Sequence, residues 1–127
     1  MTKGNYVDGF VFAVPRKNIP AYKKMAKEGA SVWMKFGALD YKECMGQDVS
    51  PSRHGSDMVS FPTLVKMKPT ETVWFSYIVF KSRAHRDAVN KKVMAYLEKK
   101  YKGAKSMDTP FEMKRMSYGG FKVEISG

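Results

Sequence analysis

Five polar side chains interrupt segments that otherwise resemble β-strands: Asp8, Glu43, Ser76, Arg115 and Tyr118. Burying a polar group costs free energy unless it is paired, so such residues belong either to a functional pocket or to a structural pair. In a pocket, Asp8 or Glu43 would serve as an acid or base and Arg115 would clamp an anion. In a structural pair, Arg115 would bind one of these carboxylates at a dimer interface. The sequence favours the structural pair.

The other reactive side chains offer few routes to chemistry. Cys44 is the only cysteine and has no neighbouring base, which predicts a structural, half-buried residue in a reducing compartment. His54 and His85 are the only histidines, and without a Cys/His cluster a structural zinc site is not expected. The sequence contains no glycine-rich phosphate loop and no nucleophile elbow. We therefore predict no metal site and no cofactor.

Four strands are predicted to position these residues, at 6–14, 39–46, 72–80 and 111–125. Within the last of them, Gly119-Gly120 suggests a bulge or a close backbone contact. A further extended segment is predicted at 59–68, where Phe61-Pro62 suggests a sheet edge or a bulge. Residues 47–57 are rich in Ser, Asp, Pro and Gly and predict a polar loop.

Two amphipathic helices are predicted between these strands. The first begins after Asn18 and ends at Gly37, and the second covers residues 83–101, between a Ser82 cap and Gly103. The resulting order, β-α-β-β-α-β, is typical of a ferredoxin-like α+β fold, in which both helices cover one face of an antiparallel sheet. Residues 1–127 have the length of one such domain.

Both faces of the predicted sheet are apolar. On the first strand Val7, Val11 and Ala13 alternate with Tyr6, Phe10 and Phe12, and residues 72–80 alternate in the same way. Two helices cover only one face, and the chain has no other segment predicted to cover the second. A second copy of the chain is the simplest cover, so we predict a two-fold homodimer.

Arg115 lies on the predicted final strand, where it would share a face with Met113 and Ser117. A guanidinium on a covered sheet face must be paired. Because its planar fork fits a carboxylate through two parallel hydrogen bonds, Asp8 and Glu43 are the expected partners.

Several motifs resemble the YbaA-like family of small bacterial proteins, over nearly the whole chain. The matching residues are Tyr6-Val7-Asp8-Gly9-Phe10, Phe36-Gly37-Ala38-Leu39, Val73-Trp74-Phe75-Ser76-Tyr77-Ile78, Ser82 with Arg86-Asp87-Ala88, Pro110-Phe111, Lys114-Arg115-Met116 and Tyr118-Gly119-Gly120-Phe121. The resemblance implies a dimeric α/β-barrel, similar to the antibiotic-biosynthesis monooxygenases and haem-degrading enzymes of that superfamily. It implies no activity, because the family is a domain of unknown function.

An enzymatic alternative comes from the same resemblance. In the similar haem-degrading enzymes a strand tryptophan, a histidine on the second helix and a polar residue on the first strand act together, and Trp74, His85 and Asp8 stand in comparable places. At 100° per residue, however, His85 falls at the border of the helix's apolar stripe, where a histidine is more often a surface or capping residue. A cofactor-free monooxygenase, or a haem-binding or haem-degrading enzyme, is the alternative function.

The net charge of +11 raises a weaker alternative, non-specific nucleic-acid binding. Residues 81–105 carry nine Lys/Arg against two acids. The aromatics in this stretch are Tyr96, on the predicted apolar stripe, and Tyr101 at the predicted helix end. They do not form the stacking series that single-strand binders interleave with their lysines, so a solvated helix face is favoured.

The remaining features predict location and partners. No apolar run approaches the ~18–20 residues of a membrane span, and the first residues lack an apolar signal core, so we expect a cytoplasmic protein. The main prediction is a homodimer that binds a small molecule in a pocket between the helices and the sheet. Whether it is an enzyme stays open.

Overall fold

The computed structural model of the protein describes residues 4–50, 58–102 and 109–127. Its strands are β1 (Tyr6–Pro15), β2 (Asp40–Met45), β3 (Glu71–Phe80) and β4 (Ser117–Lys122). Its helices are α1 (Ile19–Lys35), α2 (Phe61–Leu64) and α3 (Arg83–Lys100). Short 3₁₀ turns lie at Arg16–Asn18 and Met113–Arg115.

The four strands form one antiparallel sheet in the order β2-β3-β1-β4. The pairing is continuous along β1, whose Phe10 lies between Ser76 of β3 and Tyr118 of β4. Helices α1 and α3 pack on the same face of this sheet. The structure therefore confirms the predicted ferredoxin-like order of elements.

The core lies between the sheet and these two helices, in two clusters that Phe10 joins. One cluster contains Phe12, Val14, Tyr22, Ala26, Trp74 and Phe111. The other contains Val32, Ala38, Ile78, Phe80, Val89 and Val93. Alternate residues of β1 and β3 enter these clusters, as the apolar alternation of the sequence predicted.

The predicted extended segment at 59–68 is wrong, because residues 61–64 form the short helix α2. Ser60 caps this helix by accepting a hydrogen bond from the Thr63 backbone N–H at 3.2 Å, and Pro62 occupies its first turn. A serine cap followed by a first-turn proline favours helix initiation, and the same proline is compatible with a sheet edge. The sequence pattern is therefore compatible both with a helix start and with a strand at a sheet edge.

The α2 segment, residues 60–67, covers part of the sheet's outer face, the face opposite α1 and α3. Val65 and Met67 pack there against Ala13 and Val73. The expectation that no segment of the chain covers this face is thus wrong at one end of the sheet. Beyond α2 the apolar surface stays open: Phe75, which borders Phe61 of α2, is 43% exposed, and Phe121 is 62% exposed. Cys44, predicted to be half-buried, is exposed.

The final strand is shorter than the predicted 111–125. It begins at Ser117, while Phe111 is buried against Phe12 and Tyr22 and residues 113–115 form a 3₁₀ turn. Gly120 confirms the predicted close contact, because a Cβ at this position would collide with the ring of Tyr6. Arg115 is consequently not a strand residue, and the predicted sharing of a strand face with Met113 and Ser117 is wrong.

The helix ends agree with the sequence signals in most places. Ser82 caps α3 by accepting from the His85 backbone N–H, and Gly37 follows α1 with φ +114°, a conformation that favours glycine. Asn18 precedes α1, but its side chain donates to the Pro110 carbonyl instead of capping the helix.

Some predicted features lie outside the described residues: Gly103, His54 and most of the predicted 47–57 loop. None of the helices in the described ranges is long and apolar enough to span a bilayer.

Candidate functional site

Asp8 is the centre of a polar cluster between β1, α3 and β4. The residue is 1% exposed and lies opposite Ile78 of β3 and Gly120 of β4. Arg86 of α3 donates from Nη1 to Asp8 Oδ1 at 2.7 Å and to the Tyr118 hydroxyl at 2.8 Å. The Arg86 guanidinium also lies over the Tyr6 ring, 5.1 Å from its centroid. Two predicted site residues, Asp8 and Tyr118, therefore meet here.

The electrostatics of this cluster are set by burial. Burial raises the pKa of the Asp8 carboxyl, while the Arg86 charge and hydrogen bonds with Tyr118, Arg86 and Asn90 act in the opposite direction. The predicted pairing of Asp8 with Arg115 is wrong, and Arg86 was missed. Its spacing of three and seven residues from the buried Val89 and Val93 places it on the core-facing stripe of α3, and that spacing was the available signal.

Glu43 lies in a second cluster, under α1. Its carboxylate accepts from the Tyr22 hydroxyl at 2.6 Å and from the Tyr41 hydroxyl at 2.7 Å. Burial and the neighbouring carboxylate raise the pKa of both phenols above their ordinary range. Ser76 lies opposite Glu43 in the β2–β3 pairing and is buried. The predicted pairing of Glu43 with Arg115 is wrong, because two tyrosines take this carboxylate.

Trp74 and His85 lie at opposite ends of β3. The Trp74 indole is buried and donates to Thr72 Oγ1 at 2.9 Å. The His85 ring packs against Phe80, six residues farther along the strand, which is about 20 Å at roughly 3.3 Å per residue. His85 Nδ1 accepts from the Lys81 backbone N–H, so this histidine acts as a capping residue. The three residues of the haem comparison are not brought together.

Arg115 forms the carboxylate pair that the sequence favoured, but with Glu71. Its guanidinium donates from Nη1 and Nη2 to the two oxygens of Glu71, at 2.8 and 2.5 Å, and from Nε to Glu112 at 3.0 Å. Hydrogen bonding from Arg115 lowers the pKa of the Glu71 carboxyl to about 2. Arg115 is on the 3₁₀ turn before β4, and this turn lies beside the first residue of β3. The pair therefore joins the turn before β4 to the start of β3 at one end of the sheet.

The structure also bears on two other kinds of site considered from the sequence, a metal site and a nucleic-acid-binding surface. Within residues 4–50, 58–102 and 109–127, no three His, Cys, Asp or Glu side chains converge as a metal site requires. The basic face of α3 exposes Lys91, Lys92 and Lys99, while Lys100 pairs with Glu28 of α1. A solvated helix face, favoured over non-specific nucleic-acid binding, stays the prediction for this surface.

Comparisons with known proteins agree with the resemblance noted in the sequence. The chain is 43% identical over 120 residues to the "Uncharacterized protein YbaA" of Escherichia coli (strain K12) and of Shigella flexneri, covering 94% of this chain and 97% of each relative. Its fold is similar to a crystal structure of a dimeric ferredoxin-like protein from an uncultured marine organism. That similarity has a TM-score of 0.51 and 13% identity, and it covers 97% of this chain and 99% of the other.

The similarity to the solved structure supports the fold alone, because its sequence identity is low. The sequence relationship is much closer. Residues 5–113 match the family "Protein of unknown function (DUF1428)". The chain therefore belongs to the DUF1428 family of proteins of unknown function and is a relative of the YbaA proteins.

Proposed function

We propose that this protein is a homodimer, assembled through the open end of its outer sheet face, that binds a small molecule between its helices and its sheet. The observation that carries the proposal is the exposed aromatic surface of Phe75 and Phe121, on the sheet face opposite the helix-covered core. Monomers rarely leave a contiguous apolar patch of more than a few hundred Å² in water. The dimeric state of the structurally similar ferredoxin-like protein supports the same assembly.

A second copy suits this surface better than another partner does. In a two-fold dimer the same patch meets itself, so an apolar strip along the centre of a sheet is matched by an identical strip. The α2 segment leaves uncovered the part of this face that carries Val7, Tyr77, Val79 and Phe121, and Phe75 lies at the border, 6.1 Å from the Phe61 ring of α2 between centroids. The proposed interface is therefore the uncovered half of the outer face.

The first prediction concerns this interface. The unaltered protein should have twice the mass of one chain in light scattering coupled to size exclusion at micromolar concentration. Phe75→Asp should give the mass of a single chain, because a charge in the apolar contact would be buried without a partner. Met94→Asp is the matched control, since Met94 is similarly exposed, at 53%, but lies on α3. It should remain dimeric.

Two outcomes would contradict the interface. A clean monomer of normal solubility for the unaltered chain would remove the dimer. A Phe75→Asp variant that stays dimeric, with an unchanged circular dichroism spectrum, would place the contact elsewhere on the molecule.

The Asp8–Arg86 cluster supports the small-molecule part of the proposal. Tyr118 joins a buried ion pair to solvent, because its hydroxyl accepts from Arg86 while more than half of the residue is exposed. A ligand with a hydrogen-bonding group can therefore reach a preformed polar site at the β4 side of the helix-covered face.

The haem-type alternative is not proposed, because Trp74 and His85 are far apart. Cytoplasmic location is proposed because Cys44, the only cysteine, has no intrachain partner.

The second prediction is that a ligand accompanies the purified protein. Native mass spectrometry should detect a mass above that of the bare dimer, and denaturation should remove it. Tyr118→Phe should reduce the retained fraction, because it deletes the hydroxyl and keeps the ring, whose centroid is 4.9 Å from that of Phe10. Tyr96→Phe, on the helix layer against Phe36, should retain the ligand and serves as the control. A bare dimer under the mildest conditions would contradict the ligand and leave the dimer standing.

A further inference from the structure

A groove of about 760 Å³ lies at the end of the sheet where β1 stops and β3 starts, distant from the Asp8–Arg86 cluster. Three lysines from segments far apart in the sequence line it: Lys17, Lys68 and Lys114. Pro110, Phe111 and Met113 supply an apolar wall. We infer that this groove binds a small organic anion with an apolar body, at a site separate from the proposed pocket.

The charge of the groove carries the inference. Its two acidic lining residues, Glu71 and Glu112, both accept hydrogen bonds from Arg115. Arg115 and the three lysines are four cations against these two carboxylates, so the groove and Arg115 together keep a net positive charge. Within the described part of the chain, neither Lys17 nor Lys114 forms an ion pair. An anion placed between them would relieve the repulsion of like charges.

The walls of the groove are fixed by contacts that do not involve the lysines. Asn18 donates from Nδ2 to the Pro110 carbonyl at 3.1 Å, which joins the β1–α1 junction to the segment before β4. The Thr109 hydroxyl donates to the Phe111 carbonyl at 2.9 Å, and the Phe111 ring is anchored in the core against Phe12. A preformed concave site binds a ligand at a lower entropic cost than a surface that must be ordered first.

Size and chemistry define the ligand class. The volume falls in the range of about 300–1,000 Å³ that is typical of small-molecule sites. An apolar wall beside an ammonium cluster selects a molecule with a carboxylate or phosphate at one end and an aromatic or aliphatic body at the other. A neutral molecule of the same shape would gain only the apolar contact.

The third prediction tests this site with 2-naphthoate, and with 2-naphthalenemethanol as the neutral probe of similar shape. In a ¹⁵N–¹H NMR titration of the full chain, naphthoate should shift the amides of Lys17, Lys68 and Thr70 with saturation, and the alcohol should bind more weakly. Lys17→Glu/Lys114→Glu should weaken naphthoate binding by roughly tenfold or more, since each removed and reversed charge is worth a few-fold at an exposed site. Lys99→Glu, an exposed lysine on α3, is the charge-matched control.

Equal binding of the acid and the alcohol would overturn the inference, and so would an unchanged affinity in the Lys17→Glu/Lys114→Glu variant. Shifts confined to Phe75 and its neighbours on the outer face would overturn it as well. The Tyr118→Phe variant should bind naphthoate like the unaltered protein. Failure of the proposed pocket and failure of this groove are therefore separate results.

Discussion

Arg86→Ala should lower the free energy of unfolding by about 3–5 kcal/mol at pH 7, because it leaves the buried Asp8 carboxylate without its cation. The pKa of Asp8 is already raised by burial, and the loss of Arg86 should raise it further. A group with a raised folded-state pKa contributes its full stability below its unfolded value, near 3.8, and loses it as the pH rises through the folded value. Urea unfolding should therefore show a larger deficit at pH 7 than at pH 4.

Two variants separate charge from packing in this prediction. Arg83→Ala removes an exposed arginine from the same turn of α3 and should change stability by no more than about 0.5 kcal/mol. Adding Asp8→Asn to Arg86→Ala should restore part of the stability, because a neutral amide is less costly to bury than a carboxylate. The same deficit at pH 4 and pH 7 would show that Arg86 stabilises the fold through packing alone.

Arg115→Ala should cost about 3 kcal/mol at neutral pH, and its pH dependence should have the opposite sign. The pKa of Glu71 is lowered from 4.5 to about 2 by hydrogen bonding from Arg115, and the difference corresponds to about 3 kcal/mol. A lowered folded-state pKa gives stability that is present above the unfolded value and is lost as the pH falls from about 4.5 to about 2. Acid titration of unfolding should show this loss in the unaltered protein and much less of it in Arg115→Ala.

Arg115→Lys should recover only part of the stability, because one ammonium cannot reproduce the two parallel hydrogen bonds to Glu71. Arg115 also donates to the Lys66 carbonyl at 3.1 Å, which holds the α2 segment against the outer face. Arg115→Ala should for this reason weaken the proposed dimer together with the fold. If stability and dimer are both unchanged while naphthoate binding is lost, Arg115 belongs to the groove and not to the scaffold.

Periodicity predicted the parts of the fold that depend on neighbouring residues. Alternation along β1 placed Phe12 and Ala13 on opposite faces, as the structure has them, and single residues such as Ser82 and Gly37 marked helix ends correctly. The error at 59–68 arose because Phe61-Pro62 is compatible with both a strand edge and a helix start. The deciding contact, Val65 against Ala13 and Val73, lies in tertiary packing.

The partners of the charged residues depended on where β4 begins. A strand starting at 111 would put Arg115 on a sheet face, within reach of Asp8 or Glu43. A strand starting at Ser117 leaves Arg115 on a turn beside Glu71, one residue before the predicted strand at 72–80. Strand boundaries depend on the packing of the whole sheet. The sequence therefore predicted that Arg115 pairs with a carboxylate, but it could not identify which carboxylate. The groove was unpredictable for the same reason, because its three lysines come from three separate segments.

The strand order has a kinetic consequence. The central strand β1 is made first, yet one neighbour, β3, follows two helices later, and the other, β4, pairs Lys122 with Tyr6 only after α3 is complete. Contacts between residues so distant in sequence close large loops, which slows folding compared with a helical protein of similar size. Until β4 arrives, one edge of β1 is open to strands of other chains. Strand exchange at β1 during synthesis is therefore a hazard of the fold, and pairing with β4 closes that edge of β1.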